Sequence, residues 1–224
     1  DSLAMHLVPG IIASNPDVKL IQMTKSVCGP FFDVAPVIMP KHPVSWARGC
    51  LEFTANVREW LQDNSTVRYA VVSSPFHTYL SENTALLFRS GDLVVASSRL
   101  VAQEFERTLG ELKAMGITPI VFSPTPTNNN NLGQCLARAS WTGLDLDKCN
   151  FQVDEIPQQF LDAYRFLETI AENYHVVRLD DLVCDSTMCK THIGPTFLYR
   201  DKQHLSHEGS AKLGKASDFY GMIT

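Results

Sequence analysis

The chain has no apolar run long enough to cross a bilayer. Stretches such as Ile117–Phe122 fall far short of the roughly 20 residues a spanning helix needs. It also has no lysine- or arginine-rich run. Its 19 basic residues are outnumbered by 24 acidic ones, for a net charge of −5, and that balance argues against a nucleic-acid partner. No Cys-x-x-Cys and no Cys/His cluster at zinc-ligand spacing is present, so no metal site is expected. Internal repeats, low-complexity tracts and linker-like shifts in composition are missing too, so residues 1–224 read as a single domain. Apolar residues make up 45% and charged residues 19%, a globular composition with enough apolar mass for a sizeable core. The chain opens on Asp1-Ser2 without a methionine or a signal peptide, and is expected to be a fragment of a longer protein.

Six cysteines are present: Cys28, Cys50, Cys135, Cys149, Cys184 and Cys189. An even number favours pairing. Proximity in sequence favours Cys28–Cys50, Cys135–Cys149 and Cys184–Cys189. Most of them sit in polar or proline-rich stretches rather than in apolar runs, which favours disulfides in an oxidising compartment over buried free thiols.

Apolar strands alternate with amphipathic helices along the chain. Helices are expected at Leu3–Ile12, from Ser45 (as N-cap) to Leu61, at Leu100–Met115 before Gly116, at Ile156–Asn173 and at Ser206–Ser217. Strands are expected at Val18–Met23, Tyr69–Val72, Ile117–Phe122 and His175–Leu179, and the segment from Thr127 to Val153 reads as loop-rich. Strands that are apolar throughout and alternate with helices imply a three-layer α/β/α sandwich with a mainly parallel central sheet. The site of such a fold lies at the carboxyl ends of the strands. Lys25–Gly29, Ser73–Pro75 and Ser123–Pro126 are the polar clusters expected there.

Ser2 stands where a helix begins. A serine there is exposed as a nucleophile or is simply an N-cap, and taken alone the cap is the simpler reading. Near the other end runs Tyr199-Arg200-Asp201-Lys202-Gln203-His204-Leu205-Ser206. A hydroxyl nucleophile needs a base, and the base needs an acceptor to fix its tautomer; Asp and His three apart can supply both. Together, Asp-Ser-Leu-Ala at one end and Asp-Lys-Gln-His-Leu-Ser at the other resemble the first and last blocks of the SGNH (GDSL-type) hydrolase superfamily. The closing block through Gly209, Ser73-Ser74-Pro75-Phe76, Ser123-Pro124-Thr125-Pro126 and the Cys184/Cys189 pair narrow the resemblance. They are similar to the SGNH domains fused to bacterial membrane acyltransferases that O-acylate surface sugars.

That resemblance implies Ser2 as nucleophile, His204 as general base and then acid, and Asp201 as the group that orients the imidazole. It implies a short-chain acyl group, acetyl first among them, carried on Ser2 and passed to a sugar hydroxyl of an envelope glycan such as a lipopolysaccharide O-antigen. The domain would face the periplasm at the bacterial inner membrane, beside a fused or associated membrane acyltransferase domain. No cofactor would be bound; an acetyl donor such as acetyl-CoA would act through the membrane domain. The rival readings are a carbohydrate acetylesterase and a non-catalytic glycan-binding module. For the oxyanion hole, the Ser2 N–H would be one donor and Gly29 stands for the second. The superfamily's Gly-x-Asn-Asp block is absent, and Ser73-Ser74-Pro75 takes its place, with Ser74 as the candidate third donor. His207 is the rival base but lacks the matching Asp spacing. His6 lies one helical turn from Ser2 and could line the pocket, though a packed or solvent-facing helix histidine is the simpler reading; His77 and Tyr79 read as loop residues that could stack on a sugar, Trp46 and Trp60 as core, and Asn128–Asn131 as a solvated turn.

Overall fold

A computed structural model describes all residues, 1–224. In chain order the strands are β1 (Val34–Val37), β2 (Tyr69–Ser73), β3 (Ala85–Phe88), β4 (Leu93–Val95), β5 (Thr118–Phe122), β6 (Phe151–Gln152), β7 (His175–Val177), β8 (Met188–Cys189), β9 (His192–Ile193) and β10 (Thr196–Phe197). The helices are α1 (Ser2–Met5), α2 (Val8–Ser14), α3 (Val44–Asp63), α4 (His77–Leu80), α5 (Ser98–Ala114), α6 (Leu132–Thr142), α7 (Gln158–Ala171), α8 (Asp180–Val183), α9 (His207–Ser217) and α10 (Phe219–Ile223).

The central sheet is parallel, in the order β2-β5-β7. Successive side chains of a strand point to opposite faces, and β5 shows both faces covered. Ile120 and Phe122 enter one buried cluster with Leu7, Leu136, Leu213 and Phe219. Val121 enters the other, with Phe105, Leu109, Phe166 and Leu167. Helices α2, α6, α9 and α10 therefore cover one face and α5 and α7 the other, which makes the three layers of an α/β/α sandwich. Each fully buried phenylalanine in these layers contributes roughly 1.5–3 kcal/mol of transfer free energy.

Beside this sheet lies an antiparallel one, in the order β1-β3-β4. It packs with α3 around Ala35, Val37, Ala47, Leu51 and Leu87. The three disulfides join Cys28 to Cys50, Cys135 to Cys149 and Cys184 to Cys189, the pairings that sequence proximity favours.

Several boundaries depart from the sequence reading. Leu3–Ile12 is not one helix: α1 ends at Met5 and α2 begins at Val8, with Pro9 in its first turn. Proline has no N–H to continue the ladder from α1, yet fits the start of a new helix. Val18–Met23 forms no strand. Val18 and Leu20 pack on the core while Ile21 is 62% exposed, so Lys25–Gly29 does not follow a strand. Helix α3 starts after Pro43, which places Ser45 inside its first turn rather than at the cap.

The two ends of the chain meet through α2 and α9. A Cβ on Gly214 would lie 2.3 Å from the Gly10 Cα, so both glycines are needed for this backbone contact. The Gly10 N–H donates to Ser210 Oγ at 3.0 Å across the same crossing. That contact brings residue 2 within reach of residue 204.

Candidate active site

Ser2 is the first residue of α1, where its N–H has no intrahelical acceptor. Asp1 is the cap: its Oδ1 accepts from the Leu3 N–H at 2.8 Å. Capping is thus done by the aspartate, and the serine hydroxyl is free for another partner. That partner is His204 Nε2, 2.9 Å from Ser2 Oγ. On the other side of the ring, His204 Nδ1 lies 2.9 Å from both carboxylate oxygens of Asp201. The structure therefore brings Ser2, His204 and Asp201 into one hydrogen-bonded line.

Electrostatics settle the direction of that line. Burial pushes the Asp201 carboxyl up, but the backbone N–H groups of His204 and Gln203 and the His204 imidazole outweigh it and hold the group at about 2. An ionised carboxylate only accepts, so His204 Nδ1 carries a proton, and in the neutral ring this leaves Nε2 as the lone-pair nitrogen facing the Ser2 hydroxyl.

The loop carrying Asp201 and His204 is tied down residue by residue. The Arg200 N–H donates to the His204 carbonyl at 2.9 Å, and the Ser206 N–H to the Leu198 carbonyl at 2.8 Å. The segment after β5 holds the loop from outside. The Thr125 hydroxyl donates to the Gln203 carbonyl, the Thr127 hydroxyl to that of Lys202 at 2.6 Å, and Tyr199 Oη to that of Pro126 at 2.7 Å. The Gly133 N–H reaches the Asp201 carbonyl at 3.3 Å. A Cβ at Gly133 would stand 2.0 Å from the Arg200 carbonyl oxygen. Ser206 then caps α9 by accepting from the Gly209 N–H at 2.8 Å.

Beside His204 opens a cleft of about 310 Å³ lined by Thr127, Asn129, Asp201, Lys202, Gln203 and His204, with no apolar residue among them. Asn129, on the turn read from sequence as merely solvated, holds φ at +66° and faces this cleft.

The oxyanion candidates separate. The Gly29 N–H donates to Tyr79 Oη at 2.7 Å, and a Cβ there would meet the Tyr79 ring. That amide is already satisfied inside the core, so Gly29 is set aside as a donor. Ser74 follows β2 directly, and α1 packs against β2. Its hydroxyl, like that of Ser73, is fully buried and has no hydrogen-bond partner. Tyr79 is a core side chain stacked on Phe31, and His77 packs on Phe160; neither is a free sugar platform. His207 is exposed in the first turn of α9.

His6 is buried at the back of the site. Burial, reinforced by His204 and Arg200 and opposed by Asp201, pushes its pKa down to about 3. An unfolded chain protonates this histidine near pH 6.5, whereas the folded chain holds it neutral. Between those values the unfolded state binds more protons, so stability falls as pH falls, by up to about 1.4 kcal/mol per pH unit from this group. His6→Asn is expected to remove that share. Urea midpoints of the two proteins should draw together between about pH 6.5 and 4; a difference that stays constant with pH would contradict it.

A serine, a histidine and an aspartate aligned in an α/β domain with a parallel sheet are the arrangement of serine-dependent hydrolases, a constellation shared by several folds. The chain belongs to the family of SGNH domains fused to AT3 domains, whose model matches residues 1–218. Among solved structures, it is similar to the periplasmic domain of a lipopolysaccharide acetyltransferase from Salmonella ser. Paratyphi A. The TM-score is 0.67 and the identity 16%, with 96% of this chain and 78% of that one covered. No curated protein sequence matches it.

Proposed function

We propose that the domain is a serine-dependent O-acyltransferase that carries an acyl group, acetyl by analogy with the Salmonella protein, on Ser2 and passes it to a sugar hydroxyl of an envelope glycan. Ser2 Oγ attacks the acyl carbonyl while His204 Nε2 takes its proton. The tetrahedral intermediate collapses, the donor's leaving group departs with a proton from His204, and an ester remains on Ser2. A sugar hydroxyl then gives its proton to His204 and attacks the ester. Collapse of the second intermediate returns the proton from His204 to Ser2 Oγ. Asp201 stays ionised throughout and steadies the imidazolium.

The observation that supports this reading most strongly is the Ser2–His204–Asp201 line, with 2.9 Å contacts on both sides of the ring. The all-polar cleft beside His204 favours a hydroxylated acceptor. Water in the acceptor's place would make the same site an esterase. The Ser2 N–H and the Ser74 hydroxyl are the proposed oxyanion donors. Ser74→Ala is expected to lower ester turnover by about 10²–10³-fold; turnover within about threefold of wild type would remove Ser74 from the hole.

The three disulfides fit an oxidising compartment, and no helix is long and apolar enough to cross a membrane. With the AT3 fusion of the family, this supports a domain on the periplasmic side of the inner membrane. Its acyl group would be delivered by a membrane domain from a thioester such as acetyl-CoA, and the acceptor would be a lipopolysaccharide O-antigen. The test is the O-acetyl content, by NMR, of envelope polysaccharide from cells carrying the full-length protein or its Ser2→Ala variant. Loss of O-acetyl signals in the variant is expected; unchanged acetylation would overturn the assignment.

A further inference from the structure

His6 is the one buried histidine of the chain, and the acyl-transfer chemistry gives it no task. It lies one turn after Ser2, at the end of α1. Its Nδ1 accepts from the Leu205 N–H at 3.1 Å, a buried bond between residues 199 apart in sequence. Its ring meets the His204 ring edge to face, with centroids 6.0 Å apart and planes at 84°. Because Nδ1 accepts, the proton sits on Nε2, and that N–H is buried without a partner.

We propose that His6 is a positioning residue for the Ser2 site: its Nδ1 holds the residue after the base, and its ring backs the base's imidazole. This rests on the acyl-transfer reading of Ser2 and His204. The Thr125, Thr127, Tyr199 and Gly133 bonds fix the loop of His204 to the segment after β5. None of them refers that loop to the nucleophile. His6 does, because it shares a turn with Ser2 and bonds the loop directly. The ring also has to be neutral. The charged and titratable groups facing it are His204, Arg200, Asp201 and the Asp1 amino group, and a cation at His6 would oppose the imidazolium that forms on His204.

The test compares His6→Leu, which fills the space without an acceptor, with His6→Asn, whose Oδ1 can take the place of Nδ1. Turnover of p-nitrophenyl acetate by the domain is the readout. His6→Leu is expected to lower kcat by about 10–100-fold, the loss that follows a small misplacement of reacting groups, with KM within about twofold. His6→Asn is expected to restore kcat to within about threefold of wild type. Ring-nitrogen NMR should show His6 as the neutral Nε2–H form without titration between about pH 5 and 8, and should show the His204 signals displaced in His6→Leu but not in His6→Asn. Equal kcat in wild type and His6→Leu, equal impairment in both variants, or a proton on His6 Nδ1 would overturn the proposal. Should His6→Leu not fold, His6→Asn and the wild-type NMR decide it. Absence of Ser2-dependent turnover in the wild type would instead overturn the acyl-transfer reading, and the NMR comparison would still judge His6.

Discussion

Replacement of Ser2 by alanine is expected to abolish hydrolysis of activated acetyl esters by the isolated domain, with a fall in kcat of at least about 10⁴-fold, while the fold is retained. The expectation follows from where the hydroxyl stands. Asp1, not Ser2, caps α1 through the Leu3 N–H, so the variant loses no cap. The hydroxyl's one side-chain partner is His204 Nε2 at 2.9 Å. Thermal melts of wild type and variant should agree within a few degrees, on the scale of about 1 kcal/mol. Residual turnover within about tenfold of wild type would place the nucleophile elsewhere.

The second large effect separates the two histidines of the closing block. His204→Ala is expected to cost about 10⁴-fold in kcat, and Asp201→Asn a similar amount, because an amide no longer holds the imidazole with its proton on Nδ1. His207→Ala should leave turnover within about twofold, since that side chain is exposed at the start of α9 and makes no bond to the site. The reverse pattern would mean that the base has been misassigned. Asp201 should remain ionised down to about pH 2, so loss of activity in mild acid is not caused by its protonation.

How much of this was legible in the sequence differs from element to element. The β2, β5 and β7 strands announce themselves as short apolar runs, and the α3, α5, α7 and α9 helices by period, because their apolar side chains repeat on the faces that enter the buried clusters. The antiparallel sheet does not. Strand β1 contains Pro36, which argues against a strand in sequence, and β3 and β4 are short strands joined through Gly91 with φ at +99°. Helix α6 was hidden by the asparagine run before it, although Leu132, Leu136 and Ala139 carry helical spacing. Val18–Met23 looked like a strand because β-branching reports a preference, while pairing requires a neighbouring edge.

The site follows the same logic. Asp201 and His204 are three apart on one turn, so their relation is local and readable, and Ser2 became readable through its pairing with that block. Thr125, Thr127 and Asn129 act only because folding lays their segments against the loop of His204; His6 is marked locally only by lying one turn after Ser2, and its bond to Leu205 is again a product of the fold. The Thr-Pro-Thr alternation at Thr125–Thr127 was the nearest signal, since it sets two hydroxyls on one side of an extended segment facing successive carbonyls. Gly29 was misleading for the opposite reason. A glycine after a cysteine in a polar cluster fits a donor loop, but the buried Tyr79 hydroxyl has taken its amide.

The measurement that bears most directly on the central claim is intact-mass spectrometry of the domain after incubation with an activated acetyl ester, followed by peptide mapping. The account predicts a mass gain of one acetyl group, located on Ser2, absent from Ser2→Ala and lost again when an acceptor alcohol is added. A folded wild-type domain that acquires no acetyl group, or acquires it equally when Ser2 is alanine, would contradict it.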